Sequence, residues 1–277
     1  MTRLIRAELF KLRKRSMTWV LLSVLIGIVI IFYVVVLIIS KNSLPIHGYQ
    51  ETLGFPKVIP FVLSILFPFG IILSVILITS SIGTEYNWRT IRTMLISSES
   101  RFKLLGAKLI AVGILMLIGM VAGIATGFVM SLITTAIGGY AFNFSFVTGG
   151  YIWDQFLQFW RTFYVLIPYV LIGFLFAVIG RSSVPGLVLG IGEFFLESMI
   201  AGLLRLAGGW IANIPDYLPT VNVNAINTLS EVIPKVPMLG NSSELPSSSH
   251  AFVIVAVYDL VFIMIAFYLF RKRDVTG

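Results

Sequence analysis

The chain has 277 residues, 58% hydrophobic and only 12% charged, with a net charge of +8 and a mean hydropathy of +0.99. Soluble domains carry about 25% charged residues, so long uncharged runs in a chain with half that share point to lipid as the solvent. With no cysteine and two histidines, His47 and His250, the composition excludes disulfide frameworks, thiolate nucleophiles and cysteine-held zinc or iron–sulfur sites, and argues against a histidine metal centre.

The first sixteen residues repeat Leu4, Ile5, Leu9 and Leu12 at helical spacing among Arg3, Arg6, Lys11, Arg13, Lys14 and Arg15. That pattern predicts an amphipathic helix in the headgroup layer, basic side toward anionic lipid. The uncharged run Met17–Ser40 exceeds the roughly 7–15 residues of a signal-peptide core and is expected to stay as span 1. Residues 41–57 read as an external loop. Span 2 is expected over Val58–Ile82, with Pro60 and Pro68 favouring a kink in its outer half. Residues 83–106 form a long polar stretch with Arg89, Arg92, Arg101 and Lys103. Within it, Trp88, Ile91 and Leu95 fall on one side of a short amphipathic segment.

Span 3 is placed at Leu109–Thr134. Its Gly119, Gly123 and Gly127 recur every four residues, a stripe that lets another helix approach closely, within or between subunits. Residues 139–155 read as an external loop with Tyr140, Tyr151 and Trp153 as interfacial anchors. Span 4 covers Phe159–Gly180, Arg181-Ser182-Ser183 makes a short turn, and span 5 covers Val184–Leu204. Residues 205–250, with five prolines, are expected outside as a helical insertion, with short helices near Trp210–Leu218 and Val223–Val232. Span 6 is Ala251–Phe270, closed by Arg271-Lys272-Arg273.

The expected fold is therefore an all-α membrane protein forming one domain over residues 1–277. It has six transmembrane helices, an N-terminal interfacial helix and an external helical insertion between spans 5 and 6. Of the 20 basic residues, only Lys41, Lys57, Arg161, Arg205 and Lys235 fall outside if both termini are cytoplasmic. The positive-inside bias thus predicts a multi-pass protein of the cell membrane with both ends in the cytoplasm. Basic flanks of this kind point to a lipid bilayer as partner and not to nucleic acid.

No phosphate-cradling GxxxxGK[ST] loop is present; Gly106-Ala107-Lys108 is followed by leucine and lacks the upstream glycine. The chain is expected to have no ATPase activity of its own and to bind no cofactor. No expected span contains a histidine, which argues against an intramembrane hydrolase. Glu193 and Glu197, one helical turn apart, and Asp259 are carboxylates at membrane depth, where charge is costly and must face protein or water. They suit either an ion or proton relay, as in a self-sufficient secondary transporter, or hydrogen bonds that join spans 5 and 6 or meet a dimer partner. The segment 83–106 suits either a passive position on lipid or docking into a cleft of a soluble partner.

The order of these features resembles the permease subunit of bacterial ABC exporters of the type-2 class. Ala7-Glu8-Leu9-Phe10-Lys11-Leu12-Arg13-Lys14-Arg15 resembles that family's elbow helix. Thr84-Glu85-Tyr86-Asn87-Trp88-Arg89-Thr90-Ile91-Arg92, followed by Arg101 and Lys108, is similar to its internal segment after span 2, with Arg89 where the family commonly has glycine. Tyr217-Leu218-Pro219 resembles the external insertion, and Phe270-Arg271-Lys272-Arg273-Asp274-Val275 the close of span 6. The resemblance implies a homo- or heterodimer of permeases with a path lined by spans 1, 2 and 5. It implies a cytoplasmic ABC ATPase that holds ATP and Mg on its own chain, and a coupling contact at Glu85, Trp88, Arg89 and Arg92.

Overall fold

The computed structural model describes residues 1–43, 57–87, 101–138, 145–229 and 245–272. In chain order it contains α1 (Thr2–Lys14), α2 (Ser16–Ser43), α3 (Val58–Asn87), α4 (Arg101–Gly138), α5 (Gly149–Gly180) and α6 (Ser183–Ala207). A 3-10 helix (Gly209–Tyr217), α7 (Pro219–Asn227) and α8 (Ser248–Lys272) follow. No strand occurs among the described residues. Helices α2 to α6 and α8 are each long and apolar enough to cross a membrane, which makes this an all-α membrane protein. Many of these helices are rich in valine and isoleucine, poor helix formers in water. In lipid the backbone has no other way to satisfy its polar groups.

Arg15 alone separates α1 from α2, and its extended backbone breaks the helix axis there. α1 buries Glu8 and Leu12. Antiparallel α3 and α4 pack in register, and the glycine stripe lies at their contact: Gly123 faces Leu66 and Gly127 faces Val62, while Gly119 faces Leu25 of α2. Gly123 and Gly127 therefore meet close partners within the chain, whereas a Cβ on Gly119 would make only an ordinary contact, 3.6 Å from Leu25.

The central pair is α3 and α5; the peripheral helices turn most of their surface outward. A second close crossing joins α3, α5 and α6. A Cβ on Gly186 would lie 2.5 Å from the Gly173 carbonyl oxygen, 2.6 Å from the Thr79 methyl and 2.9 Å from Ala177. Gly190 meets Val75 and Gly173 in the same way. Between α5 and α6, Arg181 adopts a left-handed conformation (φ 48°, ψ 31°), and the Ser182 hydroxyl accepts from the Val184 amide. Buried hydroxyls on α3 bond back to their own turn: Ser74 to the Gly70 carbonyl and Thr79 to that of Val75.

Several helices run beyond the expected spans. α3 continues to Asn87 and α4 begins at Arg101, so part of the polar stretch 83–106 is helical. At about 1.5 Å per residue, the 38 residues of α4 extend well past a hydrocarbon core of roughly 30 Å. α5 begins at Gly149, where the Thr148 hydroxyl accepts from the Tyr151 amide; this takes in residues expected as external loop. The short helix expected near Val223–Val232 occupies Pro219–Asn227 instead. Proline suits the first helical position, where its missing N–H would be unpaired anyway, so Pro219 opens the helix rather than barring it.

Gly186→Val should disrupt the α3–α5–α6 crossing. The expected result is a thermal midpoint in detergent lower by an amount reflecting about 1–3 kcal/mol of overpacking. Gly192→Ala, whose nearest neighbour is a Leu196 methyl at 4.0 Å, is the control and should match the parent. Equal midpoints for Gly186→Val and the parent would rule the contact out.

Candidate functional site

Where α1 meets the end of α3 and the beginning of α4, four charges come together. The Lys108 ammonium donates to Glu8 Oε2 at 2.7 Å and to Glu85 Oε1 at 2.5 Å. Lys11 donates to Glu8 Oε1 at 2.6 Å and lies 3.6 Å from Glu85. The side chains of Lys108, Glu8 and Glu85 are only 3–4% exposed; Lys11 keeps a path to water at 37%. Among the described residues two ammoniums stand against two carboxylates, and such pairing is how a low-dielectric interior tolerates charge.

The local sequence explains the assembly. Glu8 and Leu12 are one turn apart on the buried face of α1. Lys108 lies close after the start of α4, and Glu85 close before the end of α3, so the antiparallel pair brings them level. Arg15 adds a long hydrogen bond of 3.4 Å to the Ser80 carbonyl. Burial alone would raise the Glu8 pKa, but the charges and hydrogen bonds of Lys108 and Lys11 outweigh it and hold the carboxyl below its ordinary value. Phe102 of α4 stacks on Phe267 of α8 at 5.7 Å, and Gly83 of α3 touches Ser183 of α6. The start of α4, the close of α3 and α8, and the start of α6 therefore share one end of the bundle.

Of the four residues expected at a coupling contact, Glu85 is buried in this ion cluster; Trp88, Arg89 and Arg92 lie outside the described residues. The cluster therefore sits directly before the segment that carries them. The sequence expectation put Lys11 on the basic side toward lipid and Glu8 only within the elbow-helix resemblance, and assigned neither to an ion cluster. The available signal was an acidic residue on the apolar face of a basic helix, a placement that requires a buried cation.

The intramembrane carboxylates separate into two places. On α6, Glu193 and Glu197 lie one helical turn apart, and Glu193 Oε2 is buried without a hydrogen-bond partner. Glu197 Oε1 accepts the Thr220 amide at 2.7 Å. α7 has no side-chain cap of its own, so a carboxylate from α6 serves its N-terminus. Every residue of α7 is buried, including Asn222, Asn224 and Asn227. Asn222 donates to the carbonyls of Asp216 and Leu218, Asn224 donates to that of Thr220, and the Tyr169 hydroxyl lies 3.3 Å from the Thr220 hydroxyl. Asp259 stands apart on α8, with Oδ1 buried and without a hydrogen-bond partner. Among the described residues no three acidic or histidine side chains gather closely enough to hold a metal ion.

A family model described as ABC-2 family transporter protein matches residues 4–197. The match spans α1 to the middle of α6 and includes the whole ion cluster. No curated protein matches the chain.

Lys108→Met would take the buried ammonium from between Glu8 and Glu85 and leave them with the part-exposed Lys11, at an expected cost of about 3–5 kcal/mol. The triple variant Glu8→Met/Glu85→Met/Lys108→Met should recover most of that in thermal unfolding in detergent. The carboxylate contribution of Glu8 is complete above the ordinary carboxylate pKa and is lost as pH falls through its lowered value, so the single-variant deficit should shrink in acid. An unaltered midpoint for Lys108→Met at neutral pH would refute the cluster.

Glu197→Ala should free the buried Thr220 amide at a cost of about 1–3 kcal/mol and raise hydrogen exchange within α7. Glu197→Gln, which keeps an acceptor oxygen, should restore protection. Equal exchange in both variants would show that the cap contributes nothing.

Proposed function

The chain belongs to the ABC-2 transporter family, and from that premise we propose that it is the membrane-spanning permease of an ATP-driven exporter whose motor is a separate cytoplasmic ATPase. The observation that carries this reading is the ion cluster. It joins α1, α3 and α4 at the two helix ends that flank residues 88–100, where the soluble partner would push. A load applied between α3 and α4 would reach a rigid junction and not a fraying loop.

In this reading the α1 end of the bundle is cytoplasmic. That places the basic N-terminal helix, Arg181 and the Arg271-Lys272 close of α8 on the same side, as the positive-inside bias requires. Both termini are then cytoplasmic, and the protein is a multi-pass component of the cell membrane. α1 takes the interfacial position, and the 3-10 helix with α7 forms the insertion toward the outer side. Two permeases, alike or different, enclose the path, and ATP and Mg are held by the two ATPase subunits. Trp88, Arg89 and Arg92 make the contact, and Glu85 positions their segment from its buried place. The alternative, a secondary transporter relaying ions through Glu193, Glu197 and Asp259, has less support. Glu197 is committed to the Thr220 amide, and Asp259 is not gathered with the α6 pair.

Purification of the tagged chain in mild detergent should recover an ATPase polypeptide. Trp88→Ala/Arg92→Ala should lower that recovery about tenfold, as expected when contact anchors are removed. The tagged double variant should still reach the membrane. Recovery of no ATPase, or undiminished recovery with the double variant, would reject the coupling role.

A further inference from the structure

The ion cluster accounts for one face of α1 and leaves the other unexplained. Glu8 and Leu12 turn into the bundle, while Phe10, Arg13 and Lys14 lie on the opposite side and are exposed. Together with Trp19 they line a recess of about 440 Å³ where α1 ends and α2 begins. No acidic side chain lines it. The Trp19 indole N–H donates to the Arg13 carbonyl at 2.9 Å, and the Lys14 ammonium stands 5.7 Å from the centre of the Phe10 ring. Among the described residues neither Arg13 nor Lys14 pairs with a carboxylate.

The recess has a definite charge and depth. The carbonyl end of α1 and the amide end of α2 meet here, so their helix dipoles largely offset and the two side-chain cations set the sign. Trp19 stands near the start of the first apolar helix, the depth at which indole rings favour the membrane boundary. Phe10 and Trp19 are both more than half exposed, which water penalises and the region below a headgroup does not. Guanidinium and ammonium side by side suit a phosphodiester.

We infer that this recess binds the headgroup of an anionic phospholipid. Arg13 and Lys14 take the phosphate oxygens, and Phe10 and Trp19 take the glycerol end of the acyl chains. Free phosphate would leave both rings uncovered, and a zwitterionic headgroup would leave the doubled positive charge uncompensated. The bound lipid would hold α1 from the membrane side, opposite the face that carries Glu8 into the ion cluster. Only the leaflet that supplies the lipid rests on the orientation proposed above.

The test uses the full-length chain in detergent with equal amounts of phosphatidylglycerol and phosphatidylcholine, and native mass spectrometry to count bound lipid. The parent should retain phosphatidylglycerol preferentially, and Arg13→Gln/Lys14→Gln should lower that retention about tenfold. Arg3→Gln/Arg6→Gln removes the same charge from the same helix outside the recess and should leave retention intact. No preference in the parent, or an equal loss in both double variants, would overturn the site. Excess inorganic phosphate should not displace the lipid; displacement would mark a free-phosphate site and overturn the proposal as well. A second reading needs no charge variant: phosphatidylglycerol brominated on its acyl chains should quench emission that Trp19→Phe removes, and quenching untouched by Trp19→Phe would reject the contact. Neither measurement involves an ATPase or a sided membrane, so failure of the coupling proposal would leave both results standing.

Discussion

A lysine ammonium with almost no access to water must be compensated by groups that are equally buried, and Lys108 finds them in Glu8 and Glu85. These three residues come from helices far apart in sequence, so the chain cannot bury Lys108 without docking α1 against the junction of α3 and α4. The interaction is valuable for its specificity more than for its net strength. Desolvating the charges offsets most of their attraction, whereas any arrangement that separates them leaves an uncompensated charge in an apolar setting. Other positions of α1 on the bundle are thereby excluded at a cost that apolar contacts through Leu12 alone would not impose.

The same logic operates at the far end of α6 on a smaller scale. The buried helix α7 carries three asparagines and no cap of its own, a poor candidate for burial by hydropathy. It is held in part because several of its polar groups are met, the Thr220 amide by Glu197 and the Asn222 and Asn224 side-chain amides by nearby carbonyls, although Asn222 Oδ1 is buried without a partner. A carboxylate that is expensive in lipid becomes tolerable when it satisfies a helix N-terminus that would otherwise be orphaned.

The sequence made the spans legible because lipid imposes a simple rule: about twenty apolar residues, helical throughout. The spacing of Gly119, Gly123 and Gly127 marked a candidate close approach, which the packing shows at Gly123 and Gly127. Their partners, Leu25, Leu66 and Val62, were not legible, because any large apolar side chain would serve. Gly186 and Gly190 repeat the spacing, but their contact also needs the lone Gly173 on another helix, which no local pattern marks. Hydropathy measures transfer from water and contains no term for a partner. It therefore flagged Glu193, Glu197 and Asp259 as costly but could not show that Glu197 caps a helix while Asp259 stands alone. The pairing of Glu8 with Lys108, a hundred positions apart, was not legible because each was read only within its own segment.

The sharing of partners within the ion cluster bears on how such a junction could transmit force. A single buried ion pair has one partner on each side and can pivot about that contact. Lys108 bridges two carboxylates from different helices, and Lys11 approaches both from the other side, so rotation of any one helix stretches at least two contacts at once. Lys11 is the member that keeps contact with water, at 37% exposure, and can follow a small displacement without losing hydration. The inner three have no such latitude. If the partner ATPase pushes between α3 and α4 as proposed, the first response of the bundle would be movement of α1, α3 and α4 together. Strain would then pass to the glycine contacts deeper in the bundle, where Gly123 and Gly127 leave the α3–α4 pair no spare volume.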